Sequence, residues 1–177
     1  MSNHIKERDI QKEIGIARYE EEIGCFKYSD AMLLDIYQVN TKDMVSGDVD
    51  DIEMDCYRWA KFYKTYEEDI KIISLNFPCN TAQSQEFWKK RLEQNKNPLF
   101  TEMLETKLQE LIYREKHTTS REFYVMFWFK DEQERLDRIR QVESTLGIGT
   151  SRILRTLTQD KKEKVLFKLG NKNSIIF

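Results

Sequence analysis

Histidine and cysteine are the residue types that most often carry metal binding and nucleophilic catalysis, and this sequence contains few of them. The histidines are His4 and His117, too few for a histidine-based triad or a multi-histidine metal site. The cysteines Cys25, Cys56 and Cys79 match the spacing of neither a disulfide framework nor a zinc site. We therefore predict no catalytic residue, no metal ligand and no cofactor, and we expect reduced thiols in a cytosolic protein.

Two further segments share part of the pattern of a known site. Gly147 and Gly149 suggest a glycine-rich anion loop, but the segment follows a helix and lacks a third glycine, which favours a helix cap and linker. The acidic run from Asp48 to Asp55 lacks the ligand spacing of an EF-hand, and acids favour a first helical turn. No P-loop motif is present.

The remaining candidates suit contacts with other molecules. Three aromatic residues of the first predicted helix lie off its main apolar stripe and form either an interface or, the favoured role, packing against the sheet. Residues 150–177 contain seven bases and two acids, or plus 5, within a chain of net charge -2. This basic segment either touches phosphates or anionic lipid head groups or, as is favoured, is simply solvated. The candidate interaction residues are Tyr57, Phe62, Tyr66, Arg152, Arg155, Lys161, Lys162 and Lys164.

Length and composition limit the fold that must position these residues. A chain of 177 residues with 40% apolar and 12% aromatic residues has room for one ordinary core. Only 6 Gly and 2 Pro exclude a loop-rich β-sandwich. We predict a flexible lead-in at 1–18, a single domain at 19–170 and a tail at 171–177. No secretory signal or membrane-spanning run is visible in the sequence.

Apolar periodicity and capping residues predict the order of elements. The result is an α+β fold with a mixed or antiparallel sheet of about four to five strands. Helices lie mainly on one face, and a helical hairpin separates two central strands. In the first half of the chain we predict strands at Ile23 to Tyr28 and Met32 to Val39 joined by a turn at Ser29-Asp30, a helix capped within Ser46-Gly47-Asp48, and a central strand at Asp69 to Phe77. In the second half we predict helices capped by Thr81 and Asn97, a strand at Arg121 to Phe129, a helix between Asp131 and Gly147, a short helix containing Ile153, Leu154 and Leu157, and an edge strand at Lys164 to Leu169.

The order of apolar blocks and turns from Ile23 to Leu146 resembles a known family. Its most specific pieces are Ile70 to Pro78, the Asn97-Pro98 break between two helices, and the Arg121-Glu-Phe-Tyr-Val125 start of the strongest strand. The pattern is similar to the N-terminal, non-motor domain of the conjugation ATPases of bacterial type IV secretion systems, or to a separately encoded small conjugal transfer subunit that resembles it.

The resemblance implies a function in DNA transfer between bacteria. We expect a non-enzymatic docking component that contacts the motor ATPase and membrane channel proteins, at the inner face of the cytoplasmic membrane. No catalytic residue carries over, because the family's nucleotide site belongs to the motor. One alternative is a nucleic-acid-binding module that uses Phe123, Tyr124 or Phe127 of the sheet and the basic C-terminal segment. Another is a small enzyme that uses carboxylates alone.

Overall fold

The computed structural model describes residues 16–28 and 31–171, which form an α+β fold as predicted. Each helix begins at a residue that suits a cap, such as Asp48, whose carboxylate accepts from the Asp50 amide at 2.9 Å. In this part of the chain the strands are β1 Ile16–Glu20, β2 Cys25–Tyr28, β3 Leu33–Val39, β4 Ile70–Pro78, β5 Thr119–Phe129 and β6 Leu154–Arg155. The helices are α1 Val49–Tyr66, α2 Ala82–Gln94, α3 Pro98–His117, α4 Glu132–Thr145 and α5 Gln159–Gly170.

The strands form one sheet in the order β1-β2-β3-β5-β4, and β6 pairs with the end of β3. β3 and β5 pair antiparallel along their length, from Leu33 opposite Phe129 to Val39 opposite Phe123. The predicted hairpin of β2 and β3 is present, although its turn residues 29–30 lie outside the described residues. The described sheet has six strands, where the sequence predicted four to five.

The predicted central strand, β4, instead ends the strand order. Only one of its faces is buried, by Ile73, Leu75 and Phe77, whereas Ile72 on the other face is 48% exposed. Its apolar composition predicted a strand buried on both faces at the centre of the sheet. The position of a strand in the sheet depends on its pairing partners, which are distant in the sequence and cannot be identified from the residues of the strand itself.

The chain divides into two compact units. The first contains the described residues up to Leu75 and from Glu122 on, and the second contains Asn76–Arg121. In the first unit, α1 and α4 contribute to one core with the sheet. The rings of Phe62 and Tyr66 lie 6.2 and 5.4 Å from that of Phe127. All three side chains are almost fully buried, so aromatic contacts join α1 to the sheet inside this core.

A buried carboxylate, Asp35 on β3, organises the polar contacts inside the first unit. Its oxygens accept from Tyr37 Oη at 2.9 Å, from Arg135 of α4 at 3.2 Å and from Lys162 Nζ of α5 at 2.6 Å. Lys162 also donates to the carbonyl of Gly24. Burial, together with the adjacent Asp35 carboxylate, raises the pKa of Tyr37 above its ordinary value. The cluster therefore ties α4 and α5 to the same strand.

Two elements near the C-terminus differ from the prediction. The predicted short helix around Ile153 contains β6, whose Leu154 pairs with Val39. The predicted edge strand at Lys164 to Leu169 lies within the helix α5. Val165 and Leu166 of this segment are buried together with Lys162, at the i, i+3 and i+4 positions that share one face of a helix. Tertiary packing therefore selects the helical period over the alternating period of a strand.

The N-terminal strand β1 begins inside the predicted lead-in. Ile16 pairs with Tyr28, and Glu20 pairs with Cys25, so this segment extends the sheet beyond the predicted hairpin. Residues 1–15 and 172–177, where the rest of the lead-in and most of the tail were predicted, lie outside the described residues. Across the described residues, no helix is both long enough and apolar enough to cross a membrane.

Candidate interaction surface

The second unit is built around the helical hairpin of α2 and α3. Its turn forms because Asn97 caps α3 by accepting from the Leu99 amide at 3.1 Å, and Pro98 occupies the first turn, where its missing amide hydrogen is not needed. Asn95 braces the turn by donating to the Asn97 carbonyl at 2.9 Å and to Thr101 Oγ1 at 3.1 Å. The sequence predicted this break correctly.

Polar contacts also fix the other end of the hairpin. Gln85 of α2 donates to Glu115 Oε2 of α3 at 2.6 Å and to Thr81 Oγ1 at 2.8 Å. The Thr81 hydroxyl in turn donates to the Leu111 carbonyl at 3.2 Å. With both ends held, the two helices form a defined platform for the side chains between them.

A groove of about 690 Å³ lies between the two helices near their turn. Within it, the rings of Phe87 and Trp88 meet edge to face at 5.4 Å, and the Arg91 guanidinium lies 5.1 Å from the Phe87 ring centre. Both geometries are favourable for aromatic rings. We call it the hairpin groove, and it is lined by Phe87, Trp88, Arg91, Gln94, Asn95, Phe100, Met103 and Leu104.

The apolar lining of the hairpin groove remains open to solvent. Phe87, Phe100 and Met103 are 50%, 51% and 51% exposed. Helix α2 has no buried residue, and in α3 only Leu104 is buried. Half-exposed aromatic and methionine side chains gathered in one concave site are typical of surfaces that bind other proteins.

The chemistry of the groove indicates what it can bind. Burial of its rings favours an apolar side chain, and methionine adapts to partners of different shape. Arg91 keeps guanidinium donors at the edge of this apolar surface, where a carboxylate accepts two parallel hydrogen bonds. The groove therefore fits a protein segment that carries both an apolar side chain and an acidic one.

The candidate aromatic residues of α1 divide between core and surface. Phe62 and Tyr66 are buried, with 0% and 2% of their surface exposed. They therefore pack against the sheet, the role that the sequence favoured, and they are not available to an open interface. Tyr57 is 65% exposed and remains available. The off-stripe position of Phe62 and Tyr66 was misleading because α1 packs against both the sheet and α4.

The candidate basic residues also do not form one free surface. Lys162 is buried against Asp35, a correction to its predicted exposure. Lys161 pairs with Glu122 at 2.8 Å, and Lys164 with Asp160 at 3.2 Å. Arg155 donates to Gln38 Oε1 at 2.5 Å, whereas Arg152 is exposed beside the 147–149 turn. Several of these bases thus bind within the chain.

The other segments considered from sequence have structural roles. Gly147 has φ +74° and follows α4, as a helix C-cap requires. Asn40 donates to the carbonyls of Gly149, Thr150 and Arg152 at 3.2, 3.2 and 2.7 Å, which holds the glycine linker against β3. Among the described residues, no group of three or more His, Cys, Asp or Glu could hold a metal ion.

Sequence reasoning missed the hairpin groove. It predicted the hairpin of α2 and α3, but none of its candidate interaction residues lies in the groove, which contains Phe87, Trp88, Phe100 and Met103. One signal was present: α2 has two adjacent aromatic residues with Arg91 one turn later, in a helix whose other apolar residues are only Ala82 and Leu92. Such a helix has too narrow an apolar stripe to be a core element.

Comparison with known proteins gives two matches. The Archaeal TraC-like domain family matches residues 17–172, a range that includes elements from β1 to α5 and therefore both units. An uncharacterized protein of Bacillus anthracis, pXO2-10, is 25% identical over 157 residues, which cover 80% of this chain and 69% of that protein. No solved structure matches the chain.

Proposed function

Because the chain belongs to the Archaeal TraC-like domain family, a conjugation-associated family, we propose that it is a docking component of a conjugative type IV secretion machine. In this proposal it acts without catalysis, through contacts with the motor ATPase and membrane channel proteins at the cytoplasmic face of the membrane. The finer assignment, to the non-motor domain of the conjugation ATPases or a small subunit resembling it, is part of the same proposal.

The observation that carries the proposal is the hairpin groove. About half of the side-chain surface of Phe87, Phe100 and Met103 is exposed to water. Exposed apolar surface is unfavourable, so burying it against a partner protein would lower the free energy. Their position on two helices braced at both ends means that docking requires little ordering of the chain. Arg91 adds a preference for a partner segment with an acidic residue.

The direct test compares two substitutions on the same helix. Met103→Glu places a carboxylate in the groove, and Tyr113→Glu places one at a site on α3 that is 63% exposed and outside the groove lining. Each variant replaces the wild-type gene in its conjugative element, and transfer frequency is measured together with co-purification of the cognate motor and channel proteins. We expect loss of both with Met103→Glu and near-normal values with Tyr113→Glu.

Two outcomes would reject different parts of the proposal. If deletion of the gene left transfer unchanged, the conjugation function would be wrong. If deletion abolished transfer but Met103→Glu behaved like Tyr113→Glu, the function would stand and the groove would not be the docking site. Thermal unfolding followed by circular dichroism verifies that both variants fold.

The non-enzymatic part of the proposal has its own measurement. Purified chain is incubated with ATP and magnesium, and phosphate release is compared with that of a mock preparation. We expect no difference. Release well above the mock value would show that the chain hydrolyses ATP.

Nucleic-acid binding is the second function predicted from sequence. The structure buries Tyr124 and Phe127 completely, so these sheet aromatics are not presented to bases. What remains of this alternative is Phe123, which is half-buried, and the basic C-terminal segment with Arg152 exposed. Binding through it would weaken steeply with salt, because phosphate contacts release counterions. A fluorescence anisotropy titration with labelled single-stranded DNA at two salt concentrations distinguishes this alternative from protein docking.

A further inference from the structure

Helix α1 has a second exposed surface, on the side opposite to its core contacts. Phe62 and Tyr66 face the core, whereas Tyr57 is 65% exposed. Residues spaced at three and four positions along a helix share one face. The face that includes Tyr57, which we call the α1 outer stripe, consists of the exposed residues Asp50, Glu53, Tyr57, Lys61 and Lys64.

The charged residues of the α1 outer stripe lie at equal distances on the two sides of Tyr57, with acids before it and bases after it. Asp50 and Lys64 each lie seven residues from Tyr57, on opposite sides of it. Glu53 and Lys61 each lie four residues from it. The helix thus presents an acidic half, an exposed aromatic centre and a basic half.

Such a surface is complementary to itself when one helix is reversed. We propose that the α1 outer stripe binds a second copy of this chain, with two α1 helices antiparallel about a two-fold axis at Tyr57. Asp50 of each copy then faces Lys64 of the other, and Glu53 faces Lys61. A two-fold axis makes the same patch serve both copies, so the contact closes as a dimer.

Neighbouring apolar residues support this pairing. Met54 is 51% exposed and lies three residues before Tyr57, and the small exposed Ala60 lies three residues after it. In the antiparallel arrangement Met54 of one copy lies at the same level as Ala60 of the other, so two long side chains do not compete for the same space. A parallel arrangement would instead bring Asp50 and Glu53 beside the acids of the second helix, which is unfavourable.

A contact formed by one helix per copy is small, and part of its attraction comes from exposed charges. We therefore expect a weak dimer whose population rises with protein concentration and falls with salt. This inference does not depend on the proposed function, since the α1 outer stripe and the hairpin groove share no residue.

The test exchanges the charges of the two halves. One variant carries Asp50→Lys with Glu53→Lys, and the other carries Lys61→Glu with Lys64→Glu. Each is expected to dimerise at least about tenfold more weakly than the wild type, because like charges then meet across the axis. An equimolar mixture of the two is expected to regain dimerisation, because a basic helix meets an acidic one. Sedimentation velocity over a concentration series measures each case.

A substitution at the centre provides a matched control. Tyr57→Glu is expected to abolish dimerisation, whereas Tyr113→Glu, at an equally exposed helical tyrosine on α3, is expected to retain it. A wild-type chain that stayed monomeric across the series would overturn the proposal. So would dimerisation that survived Tyr57→Glu, or a mixture of the charge variants that failed to associate although both variants were folded.

Discussion

At the level of single residues, the contacts of Asp35 are the most consequential in the first unit. Asp35 lies 127 residues from Lys162 and 100 from Arg135 along the chain, and both cations bind it. The sequence shows Asp35 only as a polar residue in an apolar strand. Its partners could not be predicted, because nothing local in MLLDIYQV specifies contacts at such separations.

Removing the charge of Asp35 should be costly. Asp35→Asn keeps the side-chain volume but leaves Lys162 and Arg135 without their counter-charge inside the protein. We expect a loss of about 3 to 5 kcal/mol in the free energy of unfolding, measured by urea denaturation. Asp160→Asn, in the exposed pair with Lys164, is the matched control and should cost less than about 1 kcal/mol. Equal losses would show that Asp35 is not buried with its partners in solution.

Cys25 gives the protein a predictable sensitivity to alkaline pH. Burial raises the pKa of its thiol from 9.0 to about 11. Since the folded chain holds the proton more tightly than the unfolded chain, this contribution to stability is complete below pH 9 and is lost as the pH rises toward 11. We expect the unfolding free energy of the wild type to fall more steeply across this range than that of Cys25→Ala, in urea titrations at several pH values. Parallel pH profiles would contradict the assignment.

At the level of elements, local signals decided which predictions succeeded. The hairpin β2–β3, helix α1 and the pair α2–α3 each carry a turn or cap within a few residues, and they form where expected. In α4, Asp131 accepts from the Glu134 amide at 2.8 Å, and Glu134 accepts from the Lys130 amide at 2.7 Å, a reciprocal cap like a capping box but with its return bond one residue before the N-cap. Such contacts join residues only a few positions apart, so they can be predicted from a short stretch of sequence.

The elements that were wrong depend on long-range pairing. β6 consists of two residues that pair with the end of β3, and nothing in Leu154–Arg155 distinguishes it from a short helix. α5 was mistaken for a strand because its apolar residues fit both periods. The hairpin groove was missed for a related reason: whether Phe100 is buried or exposed depends on what packs against it, and spacing alone does not show this.

Differences in burial between elements should appear in hydrogen exchange. β3 and β5 contain runs of buried residues, Leu33 to Tyr37 and Tyr124 to Phe127, whereas α2 has none. Amides with few buried contacts exchange through small local openings. We expect peptides from β3 and β5 to show the slowest deuterium uptake by mass spectrometry, and α2 to exchange faster than α4. Protection of α2 equal to that of β5 in the purified chain would contradict this.

At the level of the whole molecule, each compact unit carries its own exposed surface. The hairpin groove belongs to the second unit and the α1 outer stripe to the first. The two differ in chemistry, since the groove is apolar with one guanidinium and the stripe is dominated by paired opposite charges. Salt should therefore weaken self-association more than partner docking, which allows the two contacts to be separated in one experiment.

The long separation between Asp35 and Lys162 also has a consequence for synthesis on the ribosome. At about 5 to 20 residues per second, Lys162 is added roughly 6 to 25 seconds after Asp35. Until α5 has been made, the Asp35 carboxylate lacks the cation that binds it most closely, so burial of β3 among its neighbours is unfavourable. The N-terminal strands consequently wait for α5, and folding of the first unit is completed only after α5 has been synthesised.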